Sequence, residues 1–248
     1  MPIRQGAERL RVEVADGLVQ IDRGESGQIQ IRGGVRRAAD TAEQLAVLEQ
    51  TVLAFTAEPD AGDPRVLVVR GPRPPAGAPL GVFALEVGIR LPADLPVELV
   101  IAGSGDVVVA NRQAPTKVAT GRGDLRFENC QGGLAGRTGR GNVIAYGSEG
   151  DVDLHAKAGE MQVFVPVPGA SLRLVTGQGT VQCHVPRGLD FEIDARAETG
   201  VIRATAFDLE EQRVGRFGAV LTGVRGSGRT KIVLRTGSGH LSLSPIDG

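Results

Sequence analysis

The sequence predicts an all-β fold, a β-solenoid with coils of about 18 residues, and three observations predict it. The central glycines of GSGDVVVAN, GRGDLRFEN, GRGNVIAYG and KAGEMQVFV are Gly105, Gly123, Gly141 and Gly159, at one constant spacing. Two and four positions beyond them stand Val107 and Val109, Leu125 and Phe127, Val143 and Ala145, and Met161 and Val163. That period-two alternation marks a half-buried strand. Glycine supplies 36 of 248 residues, about twice ordinary usage, without low-complexity runs, so tight turns are frequent.

A second apolar set falls later in each unit, with Val118, Leu154 and Leu172 at one phase and Leu134 and Val152 at the neighbouring inward one. Each unit therefore holds two short strands and two turns. Such a unit cannot bury its own apolar face and must stack on its neighbours, with like residues about 4.8 Å apart. GQGTVQCHV and ETGVIRATA bring Gly179 and Gly200 slightly late for that spacing, and GSGRTKIVL and GSGHLSLSP bring Gly228 and Gly239. AFDLEEQ (206–212) interrupts the period and reads as a loop or bulging coil.

The segment 1–97 reads as an N-terminal β-meander. RLRVEV (9–14), GLVQID (17–22) and GQIQIRG (27–33) alternate like its strands. DTAEQLAVLEQ (40–50) is the one helix: Asp40 or Thr41 caps it, Glu43 and Gln44 lie in capping-box reach, and Leu45, Leu48 and Val52 keep helical spacing. RVLVVRG (65–71) resumes the strands. The Pro/Gly loop 71–79 cannot occupy a central strand, and GVFALEVGIRLP (81–92) leads into the repeats. No separating linker is visible, so 1–97 and the repeat region 98–248 read as one continuous domain.

Charge and composition exclude several functions. A net charge of −1 gives no bulk attraction for nucleic acid or anionic membrane. Aromatic residues are 3% with no Trp, against stacking platforms for single strands or sugars. The start carries no apolar leader, and no apolar window is long enough to span a membrane. The expectation is a cytoplasmic protein, with envelope association open to it. Cys130 and Cys183 fit neither a disulfide framework nor a zinc site. Cys183 takes an inward phase, and both thiols are expected to stay free.

Motif by motif, turn chemistry absorbs most of the candidates. Arg122-Gly123-Asp124 spells a receptor-binding tripeptide, yet it is what the repeat's turn produces when its variable position is Arg. GVRGSGRT (223–230) is one residue from a P-loop, with Arg229 where Lys belongs, but a strand rather than a helix follows. GGLAGRTGRG (132–141) lacks the βαβ setting of a dinucleotide fingerprint. His155, His184 and His240 fall at three phases of the repeat and read as separate surface residues. Asp106, Asp124, Asn142 and Glu160 form a polar ladder. Its carboxylates Asp106, Asp124 and Glu160 are the weak candidates for a metal, against a turn-stabilising role through local backbone bonds. Asp124 with Arg122 and Arg140 sketches a polysaccharide-acting site, without aromatic subsites. Lys117, Arg122, Arg126, Arg137 and Arg140 make a basic patch suited to phosphate, an anionic polymer or a protein partner, against the alternative of a solvated edge.

The entry LPVELVIAGSGDV, the T-G-x-G ticks and the closing TGSGHLSLS resemble the bacterial putative-adhesin domain of unknown function, over nearly the whole chain. The resemblance implies a β-solenoid, frequently linked to the cell envelope, and carries over no catalytic residues. The combined expectation is a non-catalytic structural or interaction protein, scaffold or adhesin-like, without cofactor. Its partner would be another protein or a second copy met through the solenoid ends, with polysaccharide binding or processing as the alternative.

Overall fold

The computed structural model describes residues 7–49, 54–73, 81–207, 209, 212–214 and 217–246. Its first elements are β1 (Arg9–Val14), β2 (Gly17–Arg23), β3 (Gln30–Ala39), helix α1 (Ala42–Glu49), β4 (Thr56–Pro59), β5 (Val66–Arg70) and β6 (Gly81–Leu91). Then come β7 (Val97–Ser104), β8 (Val107–Arg112), β9 (Thr116–Arg122), β10 (Leu125–Cys130), β11 (Leu134–Arg140), β12 (Val143–Tyr146), β13 (Glu149–Ala158), β14 (Met161–Phe164), β15 (Val167–Gln178) and β16 (Val181–Val185). The last are β17 (Phe191–Thr199), β18 (Ile202–Arg203), β19 (Gln212–Val214), β20 (Gly218–Arg225), β21 (Thr230–Ser238) and β22 (Leu241–Pro245), with a 3₁₀ turn at Thr205–Phe207.

These strands build two large, mostly parallel mixed sheets, and this corrects the expected solenoid with its N-terminal meander. A 12-stranded sheet runs β19-β20-β17-β21-β15-β13-β11-β9-β7-β1-β5-β4, and a 10-stranded sheet runs β18-β22-β16-β14-β12-β10-β8-β2-β6-β3. Neither order closes on itself. Antiparallel strands flank the parallel run, β4 on β5, β3 on β6 and β20 on β17. The first two strands do not pair as a meander: β1 lies parallel between β5 and β7, and β2 parallel between β6 and β8. The late strands also leave sequence order, because β21 inserts between β15 and β17. Gly239 therefore stacks on Gly179, and Gly200 on Gly239.

From β7 to β16 the chain alternates between the sheets, and the register carries the glycine spacing. Leu125 pairs with Val107 and Val143, and Val143 with Met161. On the other sheet Leu134 pairs with Thr116 and Val152. A bulge between Gly150 and Val152 moves Leu172 opposite Val152, so it joins the row of Leu134 rather than that of Val118 and Leu154.

Three side-chain devices hold the corner between the sheets. Gly123 and Gly141 have φ of 133° and 147°, and a Cβ on Gly141 would lie 2.0 Å from the Gly123 carbonyl oxygen, so only glycine fits. Beneath them the buried hydroxyls of Thr120, Thr138, Thr176 and Thr236 donate to the carbonyls of Gly105, Gly123, Gly159 and Gly179, at 3.2, 3.0, 3.1 and 3.0 Å. Above them Asp106 Oδ1 accepts the Asp124 N–H at 2.8 Å, Asp124 the Asn142 N–H at 2.7 Å, and Asn142 the Glu160 N–H at 3.0 Å. Each side chain thus bonds the next strand's corner instead of its own turn, because parallel stacking brings that amide within reach.

One apolar cluster between the sheets includes Leu10, Val19, Leu99, Phe127, Leu154, Cys183, Phe191, Leu234 and Leu243. Within α1's cap Thr41 Oγ1 accepts the Gln44 N–H, and Gln44 Oε1 the Asp40 N–H, each at 3.2 Å; Leu48 is buried. Val52 and most of the loop 71–79 lie outside the described residues, as do 208 and 210–211 of the interrupting segment. No helix of the described residues is long and apolar enough to cross a membrane.

Candidate functional site

The basic residues anticipated from the sequence divide between the two sheets. Alternation on β9 and β11 turns Thr116, Val118 and Thr120 inward, with Leu134, Gly136 and Thr138. It therefore turns Lys117, Ala119 and Gly121 outward, with Ala135, Arg137 and Gly139. Arg137 stands between Ala119 and His155, and Lys117 opposite Ala135. Arg122 and Arg140 pair at the exposed strand ends. Arg126 is elsewhere: it projects from β10 on the 10-stranded sheet and is paired with Glu128.

Lys157 completes this face. It falls opposite Gly139, between the pairs Thr138–Ala156 and Arg140–Ala158. The sequence held the signal, since Lys157 takes the place of Gly139 one repeat further on.

The floor among these cations is made of small residues. A depression of about 530 Å³ lies over Ala119 and Ala135, rimmed by Glu98, Lys117, Arg137 and Asp153; further along the strands Gly121 and Gly139 lead to Lys157 on the same face, while Arg122 and Arg140 follow one position on, at the exposed strand ends. The acids on the rim are already engaged. Glu98 accepts from Arg11 at 3.0 Å, while Asp153 lies 2.8 Å from His155 and 3.7 Å from Arg173. Among the described residues Lys117, Arg122, Arg137, Arg140 and Lys157 form no ion pair. Lys117, Arg137 and Lys157 on this face, with Arg122 and Arg140 exposed at the strand ends beside it, form a receptor for negative charge.

The acidic ladder offers less. Asp106 and Asp124 each hold a backbone amide of the neighbouring corner, and no group of three His, Cys, Asp or Glu among the described residues could hold a metal ion. His155 sits beside Asp153, His184 lies under Phe164, and His240 is exposed on the far side of a glycine corner, so the three histidines are apart. Around GVRGSGRT, β20 ends at Arg225 and β21 starts at Thr230, joined by a turn with Gly226 and Gly228 at φ near 61° and 64°.

Two features escaped sequence reasoning. On the outer face of the 10-stranded sheet Tyr146, Phe164 and His184 stack, with centroids 5.0 and 4.1 Å apart. Stacked ring on ring from β12 through β14 to β16, they tie the three strands together. Arg112 is fully buried, and its guanidinium donates to the carbonyls of Pro92 (2.7 Å), Leu91 (3.3 Å) and Leu95. Burial pushes its pKa down. Cys130 and Cys183 are free and buried, and burial pushes their thiols up to about 11 and about 12.

Fold and site together define an all-β protein of two facing mixed sheets with a basic outer face. No family model matches the chain, and no curated protein matches it. Among solved structures, a Clostridium sporogenes protein described as a putative cell adhesion protein aligns with 99% of this chain and 97% of its own. Identity is 12% and the TM-score 0.39, a likeness that carries no argument about mechanism.

Proposed function

We propose that this chain is a non-catalytic, adhesin-like interaction module that holds an acidic partner on the outer face of its 12-stranded sheet. The observation that carries this reading is the set of outward cations Lys117, Arg137 and Lys157 around the floor of Ala119, Ala135, Gly121 and Gly139, joined at the strand ends by Arg122 and Arg140, none of the five in an ion pair among the described residues. Cations on a protein surface ordinarily find a counter-charge or scatter; five on three adjacent strands concentrate positive potential where the protein as a whole has none. The engagement of Asp106 and Asp124 with backbone amides supports a binding role over an acid/base one.

The test is equilibrium binding of the full chain to soluble acidic polymers over a salt series. The expected result is affinity that falls as salt rises and falls again in Arg137→Glu/Lys157→Glu. Affinity indifferent to both salt and variant would remove the proposal. Protease challenge of intact cells locates the encounter: protection places it in the cytoplasm, and removal places it at the surface.

A further inference from the structure

The geometry points to a linear anionic polysaccharide, a chain of carboxylate- or sulfate-bearing sugars, as the ligand of this face; the inference rests on the acidic-partner reading above. From Lys117 on β9 to Lys157 on β13 the outward cations span about 13 Å along the strands and two strand spacings across them, roughly 16 Å in all, with the small-residue floor between. That footprint suits a short run of a polymer, where a single small anion would meet only one end of it.

Three observations separate the polymer classes. A single nucleic-acid strand is held by rings that stack its bases, and among the described residues of β9, β11 and β13 the outer face carries none apart from His155, held at Asp153; the stacked aromatic residues are on the other sheet. An acidic peptide that binds as an added strand needs free backbone groups, yet β9 and β11 are each paired on both sides, so the face offers side chains alone and excludes that mode. An anionic sugar chain, unlike a neutral one held on aromatic faces, can be held through its acidic groups. Its ring faces can lie on the methyl groups of Ala119 and Ala135 and the bare backbone of Gly121 and Gly139, while its acidic groups meet Lys117, Arg137 and Lys157, with Arg122 and Arg140 at the end of the run.

The experiment is calorimetric titration of the full chain with four probes: hexagalacturonate, a heparin hexasaccharide, a hexaglutamate peptide and a six-nucleotide single-stranded DNA. The first two distinguish carboxylate from sulfate as the recognised group. Arg137→Glu/Lys157→Glu should weaken the glycan that binds by at least about tenfold, while Arg90→Glu/Arg203→Glu, an equal charge change on exposed residues of the other sheet, should leave it unchanged. Ala119→Trp keeps every charge and fills the floor, and should abolish the same binding, with circular dichroism confirming the fold of each variant. If the peptide or the DNA binds through Arg137 and Lys157 and neither glycan does, the glycan assignment falls and the acidic-partner reading stands. If no probe depends on Arg137 and Lys157, both fall. If a glycan binds and Ala119→Trp leaves it intact, the floor plays no part and the inference is overturned.

Discussion

Replacing Gly141 by alanine should be among the most damaging small substitutions in the chain. Its φ of 147° belongs to a region that L residues rarely enter, a strain of about 2 kcal/mol. Its new Cβ would meet the Gly123 oxygen at 2.0 Å and carbon at 2.4 Å. Those atoms cannot retreat, because Gly123 donates its N–H to Arg140 O at 2.7 Å and Gly141 its own to Ala158 O at 3.0 Å, so overpacking adds roughly 2 kcal/mol. The expected loss is about 4 kcal/mol, a large share of the ~5–15 kcal/mol that holds a folded domain. Gly27→Ala isolates the backbone part, since Gly27 has φ of 76° but nothing within 4 Å of the added carbon; it should lose only about 1–2 kcal/mol. Gly34→Ala, with neither constraint, should be neutral or stabilising by up to about 1 kcal/mol. Urea unfolding of the three variants, read by midpoint at constant m-value, orders them. A Gly141→Ala loss no larger than that of Gly27→Ala would refute the role given to close approach at the corner.

Other outcomes follow from individual side chains. Arg112→Met should cost about 3 kcal/mol in the same unfolding assay, because the carbonyls of Leu91, Pro92 and Leu95 lose their buried donor. Neither Cys130 nor Cys183 should react with a thiol reagent at pH 8 in the native protein, their thiols being raised to about 11 and about 12, and both should react once urea unfolds it. At Asp194 burial pushes the carboxyl upward, but hydrogen bonds from Arg235 and Arg196 outweigh it and hold the pKa below its ordinary value. A depressed carboxyl stabilises the fold above the unfolded-state value of about 3.9 and loses that contribution as pH falls through the lower native value. The stability gap between wild type and Asp194→Asn should therefore be steady near neutral pH and vanish in strong acid.

The inward rows are legible because strand geometry imposes a period of two: Val107, Val109, Leu125, Phe127, Val143, Ala145, Met161 and Val163 are all buried. Capping chemistry is equally local, and Thr41 and Gln44 carry it. Strand pairing is less so. Leu10 and Val12 alternate identically in a meander or a parallel sheet, so nothing in RLRVEV announces β5 and β7 as neighbours. Gly200 and Gly239 sit in the same local chemistry, and which of them stacks on Gly179 is decided by the whole segment between them. The basic face is half legible. Arg137 and Arg140 stand out, while only proximity in sequence joins Arg126 to them, and Lys157 hides at a repeat position that ordinarily holds glycine. Arg112 is illegible, since its burial depends on carbonyls 17 to 21 residues away.

The insertion of β21 between β15 and β17 bears on how the chain is made. As it leaves the ribosome, β17 is complete well before β21, yet its parallel partner does not exist until β21 emerges. The edge of β15 must meanwhile wait for a strand whose Ile232 is synthesised long after the Leu172 it will face. A growing chain could dock β17 on that vacant edge, since both present alternating apolar residues, and would then have to release it. Assembly can therefore advance from the first strands only as far as β15 and β16. The final quarter must fold as one late, long-range step, which makes it the slow stage of biogenesis.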